Sequence, residues 1–283
     1  MIVDCHTHVW EYPGHLSERF VAEIPRAKSG ELNVNIKLKD HFAAMAPVDK
    51  AIVFAFKSTA LGVNVPNDYV AEYIQSHPEK LIGFASVDPN DPDAVEELER
   101  AFFDLKLKGL KLGPIYQNFH INDPKAHPIY EKAQKWGLPI IIHQGTTFLT
   151  SAPLKYALPI QVEEIALKYP DLVIVIAHLG HPWEEDTIVL IRKQPNVYSD
   201  ISAIYYRPWR FYNDMVYCQE YGVIHKLLFG SDYPFTMPGE SLNELYKVNQ
   251  FVEGTNLPRI LDETITEIIE RDVLKILNLS GST

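Results

Sequence analysis

The 283-residue chain has only two cysteines, Cys5 and Cys218. Two thiols cannot build a disulfide scaffold or a thiolate zinc site, and they suit a reducing compartment. Positive charge is also short: 26 Lys and Arg stand against 37 Asp and Glu, a formal net charge of −11. Binding to nucleic acid demands clustered cations against phosphate, and no basic run occurs. No apolar run approaches the length of a membrane span, and Met1 leads directly into an apolar strand without the basic segment of a secretory leader. The expectation is a cytoplasmic protein with neither a membrane nor a nucleic-acid partner. Gly-rich phosphate turns are missing too, with no G-x-G-x-x-G, no G-x-x-x-x-G-K and no G-x-S-x-G, which counts against an open doubly wound sheet.

What is present is a hydrophobic content of 46%, enough for a large core. Short β-rich apolar runs recur at residues 2–5, 50–56, 81–86, 109–112, 139–143, 172–177, 197–201 and 226–229. Amphipathic segments lie between them, as at 93–105 and 161–169. Eight strands alternating with helices imply parallel pairing, and the expected fold is an α/β chain forming a single (β/α)8 TIM-like barrel domain over residues 1–283. The stretch 11–49 is the least regular; it is either an insertion over the barrel mouth or a solvated connection.

Polar residues fall where such a barrel does chemistry, at the C-terminal ends of its strands. His6 and His8 share one face of the first strand with Asp4, and Cys5 should face the other way. Lys57, Lys111, His143, His178, Asp200 and Asp232 follow the later apolar runs. An H-x-H pair alone is weak, because a satisfied core histidine reads the same. Three strand ends with histidine and one with aspartate are harder to explain by packing, since each buried polar group would need its own partner. A shared divalent metal supplies all the partners at once.

The ordered motifs Asp4-Cys5-His6-Thr7-His8, Ile142-His143-Gln144-Gly145, Ala177-His178-Leu179-Gly180 and Gly230-Ser231-Asp232-Tyr233-Pro234 resemble the amidohydrolase superfamily, in the branch that includes aminocarboxymuconate-semialdehyde decarboxylase and related hydrolases. The terminal segment 268–274 is similar to that family's closing segment, with Asp272 in place of its Asn. The resemblance implies one divalent ion, usually zinc, held by His6, His8, His143 and Asp232, with His178 beside it as an acid or base. Imidazole and carboxylate donors also suit manganese, iron or cobalt. Binuclear members carry a carboxylated lysine on the fourth strand, where this chain offers Lys111. In this branch a Gly-x-Lys-x-His-Pro segment is usual, and Gly113 stands in the His position. One metal is therefore favoured, with Lys111 binding a substrate anion or a neighbouring carboxylate.

A divalent ion so held would acidify a water to a pKa of roughly 7, which points to a metal-dependent hydrolase acting on a small carboxylate-bearing substrate. Asp232 and His178 are its candidate proton carriers. The same parts could release carbon dioxide from an aromatic or unsaturated acid, making a decarboxylase the alternative. A metal-braced binding barrel is a minor alternative, because structural zinc sites are usually closed and rich in cysteine. Lys57, Lys111 and Arg207 are candidate substrate-binding cations, unless they pair with Asp88, Asp200 or Glu11. Tyr205, Tyr206, Trp209, Phe211 and Tyr212 suit a planar substrate or a contact in a homo-oligomer. His120, His127, His181 and His225 show no spacing that ties them to the cluster, with His181 the nearest to an exception.

Overall fold

The computed structural model describes residues 1–27 and 33–280. Ten strands appear among them: β1 (Val3–His8), β2 (Lys50–Phe54), β3 (Phe56–Ser58), β4 (Val63–Val65), β5 (Leu81–Ser86), β6 (Leu110–Leu112), β7 (Ile140–Ile142), β8 (Ile174–Ile176), β9 (Val197–Asp200) and β10 (Leu227–Leu228). Eight of them form one parallel sheet in the order β1-β2-β5-β6-β7-β8-β9-β10, while β3 and β4 make a separate antiparallel hairpin. The first strand and the segment around β10 meet again, since Cys5 N donates to Phe229 O at 3.0 Å and His8 N to Tyr233 O at 2.8 Å. The expected barrel is thereby formed, with its sheet edges satisfied by one another.

Strand alternation divides the apolar residues into two clusters. Leu110, Leu112, Ile140, Ile142, Ile174 and Ile176 face outward, against helices such as Ala94–Phe103 and Val162–Lys168. Val3, Ile52, Phe54, Phe84, Ile141, Val175 and Leu228 fill the barrel interior, with Val273 and Leu277 of the chain's last helical turn packed against them. Asp272 caps that turn by accepting from Lys275 N at 3.1 Å, so its carboxylate fills the capping role. Burial of Phe54 and Phe84 in the interior contributes roughly 2–3 kcal/mol each.

Three details differ from the sequence reading. The first apolar run, read as 2–5, extends in β1 through His8, with both histidines in the strand as expected. Its register against β2 shifts between Asp4 and Thr7, so Cys5 keeps the inward face of Val3 instead of pointing outward, while His8 pairs with inward Phe54. The second run ends at Phe54, and Lys57 belongs to the hairpin β3–β4. The described parts of the stretch after β1 cover the barrel mouth, because Leu16, Phe20, Arg26 and Ala27 line the cavity there; residues 28–32 of that stretch lie outside the described residues.

Candidate active site

The interior alternation carries polar groups up to the mouth. Lys111 sits between outward Leu110 and Leu112, opposite inward Ile141, so it points into the barrel, where its Nζ lies 4.7 Å from the Phe54 ring centroid. Asp200 closes β9 opposite inward Leu228 and is fully buried. His178 and Asp232 follow their strands in left-handed backbone, at φ 56° and 63°. Non-glycine residues avoid this region, and such strain clusters at functional sites. Here it is held by His178 N donating to Asp200 Oδ1 at 3.0 Å and Asp232 N donating to His6 O at 2.8 Å.

His6, His178 and Asp232 are all buried and present ligand atoms within 4.8 Å of one another. Asp232 Oδ1 lies 3.3 Å from His8 Nε2 and 3.5 Å from His6 Nε2. The His143 ring centroid is 5.0 Å from that of His178. Thus the structure gathers all five candidates, with His178 rather than His143 in the tightest trio.

Hydrogen bonds fix which ring nitrogen His6, His178 and His143 offer. His6 Nδ1 donates to Asp200 Oδ2 at 2.8 Å, because an ionised carboxylate can only accept, and this leaves Nε2 bare. Ser202 Oγ donates to Asp200 Oδ1 at 2.5 Å and so accepts from His178 Nδ1 at 2.8 Å, which again frees Nε2. His143 Nε2 donates to Thr146 O at 2.8 Å, leaving Nδ1. Tying down the second nitrogen in this way is the usual support for metal-binding histidines. Burial lowers the pKa of His6, with Lys111 adding to the effect against the pull of Asp200. It holds His8 and His143 well below the ordinary value and His178 down to about 4. All four are therefore neutral near pH 7, the form that binds a cation. Burial works against Asp200 as an anion, but His6, His178 and the Ser202 hydroxyl outweigh it and keep its pKa below the usual range.

This donor set fits one divalent ion: a buried carboxylate and imidazole nitrogens converge, with the far edges of His6, His143 and His178 anchored. Lys111 bears on the same point, its Nζ 3.0 Å from His6 Nε2. Burial brings its pKa down to about 8, so it releases its proton more readily than a surface lysine and repels a cation less.

The remaining candidates divide. Lys111 and Arg207 line the cavity, and Arg207 stacks 4.4 Å over the Tyr206 ring centroid. Lys57 does not line it; its amine is paired with Asp91 at 2.7 Å, a partner absent from the expected set. Of the aromatic cluster, Tyr206 reaches the cavity while Trp209 is exposed against Phe251. Most of the cavity's aromatic wall comes from Trp10, Phe20, Phe56, Tyr116, Phe148 and Phe235, which the sequence reading largely missed because the segments bearing them converge only in the fold. His181 also lines the cavity, the one discounted histidine whose place three residues past His178 had marked it as an exception.

Two supporting residues carried no sequence signal for their roles. Asp200 was visible only as a strand-end acid. His41 donates from Nε2 to Thr7 Oγ1 at 2.9 Å, and Thr7 in turn donates to Ile52 O at 2.6 Å, fixing the residue between the two histidines of β1. Asp4 ties the two ligand segments together, since its Oδ1 accepts from Ser231 N at 2.9 Å and His6 N at 3.1 Å.

A family model described as amidohydrolase matches residues 3–267. A 2-amino-3-carboxymuconate-6-semialdehyde decarboxylase from Dictyostelium discoideum is 30% identical over 78 residues, which is 27% of this chain and 22% of the relative. Three solved structures share the fold. An uncharacterized TIM-barrel protein from Bordetella bronchiseptica has a TM-score of 0.78 at 20% identity, with 99% of each chain covered. A 5-carboxyvanillate decarboxylase from Novosphingobium aromaticivorans, complexed with manganese and 4-hydroxy-3-methoxy-5-nitrobenzoic acid, has a TM-score of 0.70 at 17% identity, covering 99% of this chain and 96% of that one. A probable 2-pyrone-4,6-dicarboxylic acid hydrolase from Acinetobacter baumannii, with citric acid bound, has a TM-score of 0.69 at 16% identity, covering 98% of this chain and 99% of that one.

Proposed function

The chain belongs to the amidohydrolase family, and we propose that it is a metal-dependent, non-oxidative decarboxylase of a small aromatic or unsaturated carboxylic acid. The observation that carries this reading is the cavity itself, where an aromatic wall stands over Lys111, Arg207 and the buried imidazoles. A planar acid meets apolar surface on its ring and cations at its carboxylate. The likeness to decarboxylases that act on or bind small acids supports it, and moves the preference away from hydrolysis.

His6, His8, His143 and Asp232 would hold the ion, with His178 as proton carrier. When bound, a divalent ion supplies a Lewis acid that polarises a substrate oxygen or acidifies water. The chain's residues do the rest. His178 Nδ1–H is committed to Ser202, so its proton traffic runs through Nε2. Burial keeps this imidazole neutral, so the proton it delivers is one it takes up along with the substrate acid. As the carbon–carboxylate bond breaks, its electron pair stays on the substrate carbon, which takes that proton from Nε2 while carbon dioxide departs. Arg207 and Lys111 orient the acid.

Hydrolysis is the second reading, favoured by the likeness to the pyrone hydrolase and by the buried Asp232 carboxylate, which would accept a proton from an attacking water. The test is a metal-reconstituted assay against lactones, amides and aromatic or unsaturated acids, scored separately for carbon dioxide and for hydrolysis products. Carbon dioxide from an acid is expected. Hydrolysis alone would move the protein to the second reading, and inertness toward the whole panel with metal retained would favour a metal-braced binding barrel.

A further inference from the structure

His181 lines the cavity beside the site, and its Nδ1 lies 2.5 Å from Oε1 of Glu184. Glu184 is fully buried, is not part of the cavity wall, and is bound through its other oxygen by Arg210 of the helix Pro208–Glu220. Arg210 also lies 3.1 Å from Asp214. Burial and the Glu184 charge push the Asp214 carboxyl up to about 8, so Glu184 is the anion that the guanidinium compensates. An ionised carboxylate only accepts, which puts the ring hydrogen on Nδ1 and makes Nε2 a bare acceptor. Nε2 has no hydrogen bond among the described residues, and the ring edge that carries it is the one turned away from Glu184. The backbone is held as well: His181 N donates to His178 O at 3.0 Å, and its carbonyl accepts from Thr146 N at 2.7 Å. Gly180 allows this turn, because at φ +71° a side chain there would be strained and would collide with Thr187 Oγ1 and Pro159.

We propose that His181 Nε2 accepts a hydrogen bond from a hydroxyl group of the substrate, so that the cavity selects hydroxylated organic acids, with Glu184 the positioning residue that fixes the acceptor tautomer. This rests on the organic-acid reading above and adds the second group by which the acid is recognised. A ring that merely closed the turn into the helix Glu184–Lys193 would not need a nitrogen left without a partner opposite Glu184.

The test uses manganese-reconstituted protein and calorimetric titration with matched pairs: 2-, 3- and 4-hydroxybenzoate, each against its methoxy counterpart. In at least one pair the hydroxy acid should bind about tenfold more tightly, the effect of one well-placed hydrogen bond. In His181→Phe and His181→Leu that preference should shrink to within about twofold, with metal content and methoxy-acid affinity unchanged. In Glu184→Gln the nitrogen-15 signals of the His181 ring should shift away from the Nδ1–H tautomer and the preference should fall, which a purely structural glutamate would not produce. No preference in the unmodified protein, a preference that survives both His181 variants, or an Nε2–H tautomer in the unmodified protein overturns the proposal. Absence of carbon dioxide release alongside a His181-dependent hydroxyl preference would sink the decarboxylase reading and leave this one standing.

Discussion

Asp200 holds His6 directly, Oδ2 to Nδ1 at 2.8 Å, and holds His178 through the Ser202 hydroxyl and the His178 backbone amide. One buried carboxylate thereby sets the tautomers of two imidazoles from adjacent parts of the barrel mouth. On the proposed metal site it would bear on metal affinity as a support to the ligands.

Asp200→Asn should therefore weaken metal binding by about 10- to 100-fold, the usual effect of removing a group that orients a ligand. His6→Ala and His8→Ala should lose most of the metal outright. Competition against a chromophoric chelator measures both, and an Asp200→Asn protein with native affinity would remove this carboxylate from the site's design.

His143→Asn and His178→Asn separate ligand from proton carrier. On the proposed roles the first variant loses metal, while the second keeps it and turns over about 10²-fold more slowly or worse. The tight trio of His6, His178 and Asp232 makes this a sharp comparison. The opposite pattern, with metal lost from His178→Asn and kept by His143→Asn, would exchange the two assignments.

Lys111→Met tests whether the buried amine serves substrate or metal. With one ion per chain, elemental analysis should show metal content unchanged near one equivalent, and the Michaelis constant for an acid substrate should rise. A second equivalent in the unmodified protein that disappears in the variant would falsify the single-metal reading.

Acid should destabilise the fold through His41. Its pKa is lowered to about 3, by burial and then by His8, against an ordinary value of 6.5. A neutral native imidazole that charges on unfolding contributes stability present above pH 6.5 and lost as pH falls toward 3. Between pH 7 and pH 4.5 that loss is on the order of 2 kcal/mol from this residue. Urea unfolding at the two pH values should show a smaller difference for His41→Gln than for the unmodified protein; equal differences would show that His41 is not an acid-sensitive element.

Much of this molecule was legible in the chain. Apolar runs of strand length separated by amphipathic helices fix a parallel barrel, because such strands must be covered on both faces and joined by crossovers. Strand-end histidines and Asp232 could be found because a fold of this kind presents its strand ends at one mouth. Local alternation also governed Lys111, whose neighbours Leu110 and Leu112 send it inward. Tertiary structure alone decided the rest. The register shift in β1 let Cys5 and His8 both face inward, and no spacing rule encodes a bulge. Lys57, in a hairpin, found Asp91 of a distant loop, and the local pair His181–Glu184 found Arg210 through the docking of two helices. Sequence specifies which residues a strand or helix turns toward the core, since that depends on period. Which buried polar group satisfies which other depends on contacts between distant segments, and these exist only once the barrel has closed.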